Sequence, residues 1–271
     1  MKLLIAPPRE GVQWARNGLR VFVKRPLSFM GLFGAVLLAM LLAQLLSWVG
    51  SLVLWACLPL VTLGFMIATR QALEGGTPTF QVFIAPLRGE PASRRALWQL
   101  GLMYAFVMLL IVGVHAWIDD GRMAALQVAA TDGKGTPETM GPLLADARLQ
   151  MSLLWFAVAA SLLSVPFWHA PALVHWGGHT APKALFSSTV ACWRNKGAFL
   201  LYGLACIGTV VVFALLSSLL FAVLGTPNLA AAVMMPAVLF FTVIFYASLY
   251  FTYAGCFETP PVLPAPEEPT P

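Results

Sequence analysis

The chain has 271 residues, 59% of them hydrophobic and only 10% charged, with a net charge of +5 and a mean hydropathy of +0.82. Soluble domains carry roughly a quarter charged residues, so this composition excludes a water-soluble globule that hides its apolar surface in one core. The apolar stretches also lack the strict alternation over about 10 residues that marks membrane-spanning strands, which leaves an all-α polytopic membrane protein.

In chain order, the N-terminus MKLLIAPPREG holds a short apolar run before two prolines. That is too short for the core of a secretory signal, so the first span is expected to stay as an anchor. Pro8 then leads into Val12, Ala15, Leu19 and Phe22, with Arg16, Arg20, Lys24 and Arg25 alongside. This spacing predicts a basic amphipathic helix in the headgroup plane. Uncharged stretches follow at residues 27–48, 51–69, 96–117, 150–170, 198–220 and 228–253. Each is long enough, at about 1.5 Å per residue, to cross roughly 30 Å of hydrocarbon. Six transmembrane helices are therefore expected.

Between the second and third spans lies EGGTPTFQVFIAPLRGEPASRR, where Thr77 is placed to cap a helix and Pro78 to open it. Phe80, Phe83, Ile84 and Leu87 follow helical spacing until Pro86 and Gly89 end it, and Arg94 and Arg95 close the segment. Before the fifth span, GGHTAPKALFSSTVACWRNK starts a helix at Pro182, with Phe186, Val190 and Trp193 on one side and Arg194 and Lys196 at its end. The glycine pairs Gly75–Gly76 and Gly177–Gly178 mark sharp turns at span ends, where positive φ is free of penalty. Residues 1–257 thus form one six-helix domain. The recurring unit of interfacial helix and hairpin suggests a threefold repeat over 8–70, 77–170 and 181–254. Residues 258–271 are proline-rich and expected to be a disordered cytoplasmic tail.

All lysines and arginines except Arg122, Lys134 and Arg148 fall in the tails or in the segments at 70–96 and 171–197. The positive-inside rule then puts both termini in the cytoplasm. All four aspartates, Asp119, Asp120, Asp132 and Asp146, sit in the single long outer loop. That loop lacks the order of a calcium-binding loop and is expected to be solvated. The tryptophans gather near predicted interfaces as aromatic belts, with Trp48, Trp55, Trp117 and Trp155 outside and Trp14, Trp98, Trp168, Trp176 and Trp193 inside.

Candidate chemistry is sparse. His169, His175 and His179 are a ligand set of low standing, because the glycine pair between the last two interrupts the helix that would align them. No CxxC pair, GxSxG, HExxH or phosphate loop is present, and no charge lies within a span, so neither a cofactor nor a metal is expected. Prolines at 59, 166, 171 and 236 lie in or at the ends of spans, as they do in many membrane helices.

The run VPFWHAPALVHWGGHTAPKALFSSTVACWRNKGAFLLY, with the earlier EGGTPTFQVFIAPLR, resembles a family of uncharacterised proteobacterial six-helix inner-membrane proteins. Ala170, Pro171, Ala172, Leu173, Gly177, Gly178, Pro182, Ala184, Leu185, Ser187, Ser188, Arg194 and Asn195 fit its pattern. The chain is also loosely similar to the membrane domain beside some glycerophosphodiester phosphodiesterases, without the soluble catalytic barrel. The resemblance implies the fold and no activity. The reading that follows is a non-enzymatic inner-membrane scaffold or accessory subunit. Its lipid or partner surface is Arg16, Arg20, Lys24, Arg25, Arg94, Arg95, Arg194 and Lys196, facing anionic headgroups or a membrane-protein partner, with no nucleic acid involved. The alternatives are a carrier or scramblase for a neutral hydrophobic molecule, and a heme or quinone redox protein.

Overall fold

The computed structural model describes residues 2–131, 137–226 and 228–258. Twelve helices run through the described residues, and six are long and apolar enough to cross a membrane. Helix α1 (Glu10–Lys24) precedes the hairpin of α2 (Pro26–Gln44) and α3 (Ser47–Leu73). A short α4 (Gln81–Ile84) and a 3-10 turn lead into α5 (Pro91–Asp119), followed by α6 (Arg122–Thr131), α7 (Pro137–Leu144) and α8 (Ala147–Phe167). Then come α9 (Ala170–Gly177), α10 (Ala181–Arg194) and the last hairpin, α11 (Lys196–Val223) with α12 (Asn228–Cys256). The shortest span, α2, has 19 residues, about 28 Å of helix, which matches the hydrocarbon thickness.

Helix α3 is the hub. On one side it packs against α5, which in turn packs against α8, and on the other against α12, which carries α11. Helix α2 covers α3 and α12. In a bilayer the lipid is as apolar as leucine, so helices associate through small residues and hydrogen bonds. The contacts follow that logic. Gly101 of α5 lies against the Ala56 carbonyl of α3, and Gly50 of α3 against the Ala43 carbonyl of α2. The Thr69 hydroxyl donates to the Ala247 carbonyl at 3.0 Å, and the Tyr202 and Ser248 hydroxyls meet at 2.6 Å.

The end of the bundle that carries the N-terminal helix, here the basic end, is sealed by the short helices. The face of α1 that packs inward is Gly11, Trp14, Gly18, Val21 and Phe22, whereas Val12 and Leu19 of the predicted stripe are exposed. Gly11 lies on the backbone of α11 at Ala198, and Gly18 lies on Ser248 of α12. Helix α1 is therefore docked to the protein instead of resting only on lipid. Helix α10 likewise packs inward through small residues. Ala181, Ala184, Ser188 and Ala191 are buried, while Phe186 and Trp193 point away. Trp14 is buried too, against Gly255, Phe199 and Tyr202, and leaves the predicted aromatic belt.

Helix α4 is shorter than the spacing suggests, and Thr77 does not cap it. Pro78 lies in irregular chain ahead of it, and the helix starts only at Gln81. Its Phe83 ring sits over Gly64 and against Phe65, which also meets Phe33 and Tyr246. The fourth span breaks at Trp168–His169, just before Pro171, which lacks an amide hydrogen and sits in the first turn of α9.

At the opposite end the outer loop is largely helical where it is described, and Asp119, Asp120 and Asp146 each have partners there. Asp120 pairs with Arg122 at 2.7 Å and Arg148 at 2.9 Å, and the Asp119 carboxylate accepts the Met123 amide. Asp146 caps α8 through the Arg148 and Leu149 amides, which hold its carboxyl below the usual range. Asp120 and Arg148 remain exposed, as expected of a solvated loop. Asp132, Lys134 and the expected tail beyond residue 258 lie outside the described residues.

Replacing Gly18 by Leu should lower the melting temperature of the detergent-purified protein by several degrees, since overpacking a tight contact costs about 1–3 kcal/mol. Gly31, which has open space around it, should accept Leu without loss. Equal effects at the two sites would contradict the docking of α1 on α12.

Candidate functional site

The basic end gathers the predicted cationic side chains. With its small-residue face turned inward, α1 presents Arg16, Arg20 and Lys24 outward beside exposed Val12, Leu19 and Val23. Arg94 and Arg95 are exposed in the first turns of α5, and Arg194 and Lys196 at the α10–α11 junction, where Lys196 lies 5.3 Å from the Trp193 ring centroid. Arg25 is used differently: its Nη2 donates to the Gly75 carbonyl at 3.0 Å and ties the start of α2 to the turn after α3. Among the described residues the ion pairs are Arg70–Glu74 at this end and the Arg122 and Arg148 set at the other. None of the eight predicted cations takes part in one.

Two of them line a cleft of about 810 Å³ between the start of α5 and the turn after α9. Glu90 is extended and Pro91 opens the helix, so the first backbone amides of α5 point into solvent without a side-chain cap. Arg94, Arg95 and Trp98 form one wall, and Gly178, His179 and Thr180 form the other. Burial, and then the charge of Lys183, hold the His179 imidazole below its ordinary range, so it is neutral at pH 7. Its Nδ1 is shielded and has no hydrogen-bond partner among the described residues. Two guanidinium groups, a helix start and a neutral imidazole make a setting suited to a phosphate group, with Glu90 on the rim.

The glycines and prolines position this wall. Gly178 has φ +61° and Gly75 φ +85°, each just past the end of a helix. Gly76 follows, its amide bonded to the Gln71 carbonyl at 2.9 Å, Gly177 is the last residue of α9, and Pro182 sits in the first turn of α10. The turn that Gly178 makes carries His179 out of line with His175.

The three histidines are not brought together as a ligand set. His169 is fully buried at the α8–α9 break, among Phe199, Tyr253 and Phe257, with Nε2 3.2 Å from the Thr252 hydroxyl. His175 is half-buried, with its ring tilted against that of Trp176 at 5.5 Å between centroids. Among the described residues, no three His, Cys, Asp or Glu side chains converge as metal ligands. Burial also pushes the Cys192 thiol up to about 12, which keeps it protonated.

Two residues that sequence reasoning left without a role hold this end together. The Ser188 hydroxyl accepts the His169 amide and donates to the Val165 carbonyl, both at 3.0 Å, and so supplies partners where Pro171 interrupts the helix. Asn195, nearly fully buried, accepts the Ala6 amide at 2.7 Å and donates to the Leu4 carbonyl at 3.1 Å. The segment it grips pairs in turn with the far end of the chain, through Leu4 to Cys256 and Glu258 to Lys2. The Arg-Asn pair of the family pattern was the available signal, but spacing alone does not say what an asparagine holds. Replacing Asn195 by Ala removes the partners of two part-buried backbone groups, at about 1 kcal/mol. Limited proteolysis should then release the first residues faster than in the native protein. Unchanged protection would contradict the clasp.

Among known proteins, the chain is 33% identical over 259 residues to a probable inner membrane protein of Burkholderia thailandensis, an alignment covering 95% of this chain and 94% of that relative. No family model and no solved structure matches. With six apolar spans and similarity along nearly its whole length, the chain belongs to the family of that probable inner membrane protein and is a multi-pass protein of the inner membrane.

Proposed function

We propose that this protein is a non-enzymatic scaffold or accessory subunit whose basic end faces the cytoplasm and binds the phosphate of anionic lipid headgroups. The observation that carries the reading is that Arg16, Arg20, Lys24, Arg94, Arg95, Arg194 and Lys196 are exposed at one end and make no ion pair among the described residues. A concentration of unpaired cations beside exposed apolar side chains suits the boundary between headgroup and acyl chain. The cleft at Arg94 and Arg95 adds a recess where one headgroup is held more firmly than on the open surface.

The assignment of this end to the cytoplasm follows from the bias of Lys and Arg. A non-catalytic role is supported by what the buried polar groups do. Ser188 and Asn195 are engaged with backbone, and His169 is packed among aromatic rings. The loose similarity to the membrane domain beside some glycerophosphodiester phosphodiesterases belongs to the same proposal, of a domain that works next to other proteins.

Native mass spectrometry in mild detergent with added phosphatidylglycerol tests the headgroup reading. The native protein should retain one lipid, and Arg94→Gln/Arg95→Gln should weaken retention about 30-fold, at about 1 kcal/mol per basic residue. Equal retention would contradict it. Purification from native membranes should also recover a partner in fixed ratio, and recovery of the chain alone would remove the scaffold half of the proposal.

A further inference from the structure

Helix α8 packs on α5 and helix α11 on α12, which leaves a crevice of about 200 Å³ between α8 and α12, floored by α3. Trp168 closes it toward the basic end, with its ring against Phe245 and its Nε1 donating to the Thr252 hydroxyl at 3.1 Å. The wall contains no charged side chain. Its polar groups divide into two kinds. The Thr62 hydroxyl is spent on the Leu58 carbonyl and the Ser164 hydroxyl on the Ser161 carbonyl, each within its own helix. The phenols of Tyr104 and Tyr246 form no hydrogen bond with any described residue.

Their rings are nonetheless fixed. Tyr104 meets the Phe167 ring edge-on at 5.0 Å between centroids, and Tyr246 lies 4.8 Å from Phe65. Tyr246 is ten residues before the end of α12, about 15 Å along the helix axis and within the hydrocarbon layer. A phenol held there without a partner is costly, because hydrocarbon offers no acceptor. Two donors in an uncharged apolar recess call for an acceptor oxygen on a neutral, lipid-soluble molecule. The volume suits about six or seven groups of water size, room for a carbonyl and the start of its chain.

We propose that this crevice is a binding site for one neutral lipid-soluble molecule, whose carbonyl oxygen accepts hydrogen bonds from Tyr104 and Tyr246 and whose chain leaves between α8 and α12. The carbonyl belongs to an acyl ester or to a quinone, and the site recognises what they share. It stands apart from the headgroup reading, since the two sites have no residue in common.

The test uses the full-length, delipidated protein in mild detergent, with dioleoylglycerol as the ester probe and decylubiquinone as the quinone probe, each followed by native mass spectrometry. One probe should bind at one molecule per chain, and whichever does so identifies the source. Tyr104→Phe/Tyr246→Phe keeps both rings and should weaken that binding about tenfold, while Ser164→Phe, which fills the crevice, should abolish it. Failure of both probes to bind the native protein overturns the proposal. So does binding that the Tyr→Phe pair leaves unchanged, because the phenols would then not be the recognition element.

Discussion

The structure depends on one constraint: inside hydrocarbon, every backbone polar group needs a partner within the protein, and apolar burial no longer draws helices together. Helices satisfy the first requirement by themselves. The second leaves close contact and hydrogen bonding as the means of assembly, and glycine, alanine and serine therefore occupy the interfaces. Gly101 on Ala56, Gly18 on Ser248 and Gly11 on Ala198 are the points where backbones approach. Where a helix cannot bond to itself, as at the break before Pro171, a side chain substitutes, and Ser188 is that side chain.

This constraint separates what the sequence discloses from what it hides. The six spans and their order were readable, because length without charge is itself the property that a bilayer selects. Which face of each helix turns inward was not. In α10 the spacing of Phe186, Val190 and Trp193 marks one apolar side, and the side that packs inward is Ala181, Ala184, Ser188 and Ala191. The reason is physical: Phe186 and Trp193 gain as much from lipid as from protein, while only small residues let helices close up. Trp14 of α1 packs inward, since Gly255 leaves room for its indole. The outer-loop aspartates were likewise legible as a cluster, but the pairing of Asp120 with Arg122 and Arg148 depends on the fold.

The same division applies to the candidate site. The cations could be named from the sequence, because their bias toward one end is a property of composition along the chain. The cleft could not, since it forms only where the Gly178 turn meets the start of α5, two segments far apart in sequence. The crevice between α8 and α12 is equally a product of packing order. The short helices at the basic end, the Asn195 clasp and the paired chain ends together form a plate over one end of the bundle.

The account rests on the plate lying at the cytoplasmic surface, where anionic headgroups and positive loops coincide. Single cysteines placed at position 94 or position 122 in a chain otherwise freed of its cysteines, and exposed to a membrane-impermeant maleimide in intact spheroplasts, test this directly. Labelling at 122 and protection at 94 until the membrane is breached is the predicted result. Labelling at 94 in intact spheroplasts would contradict it.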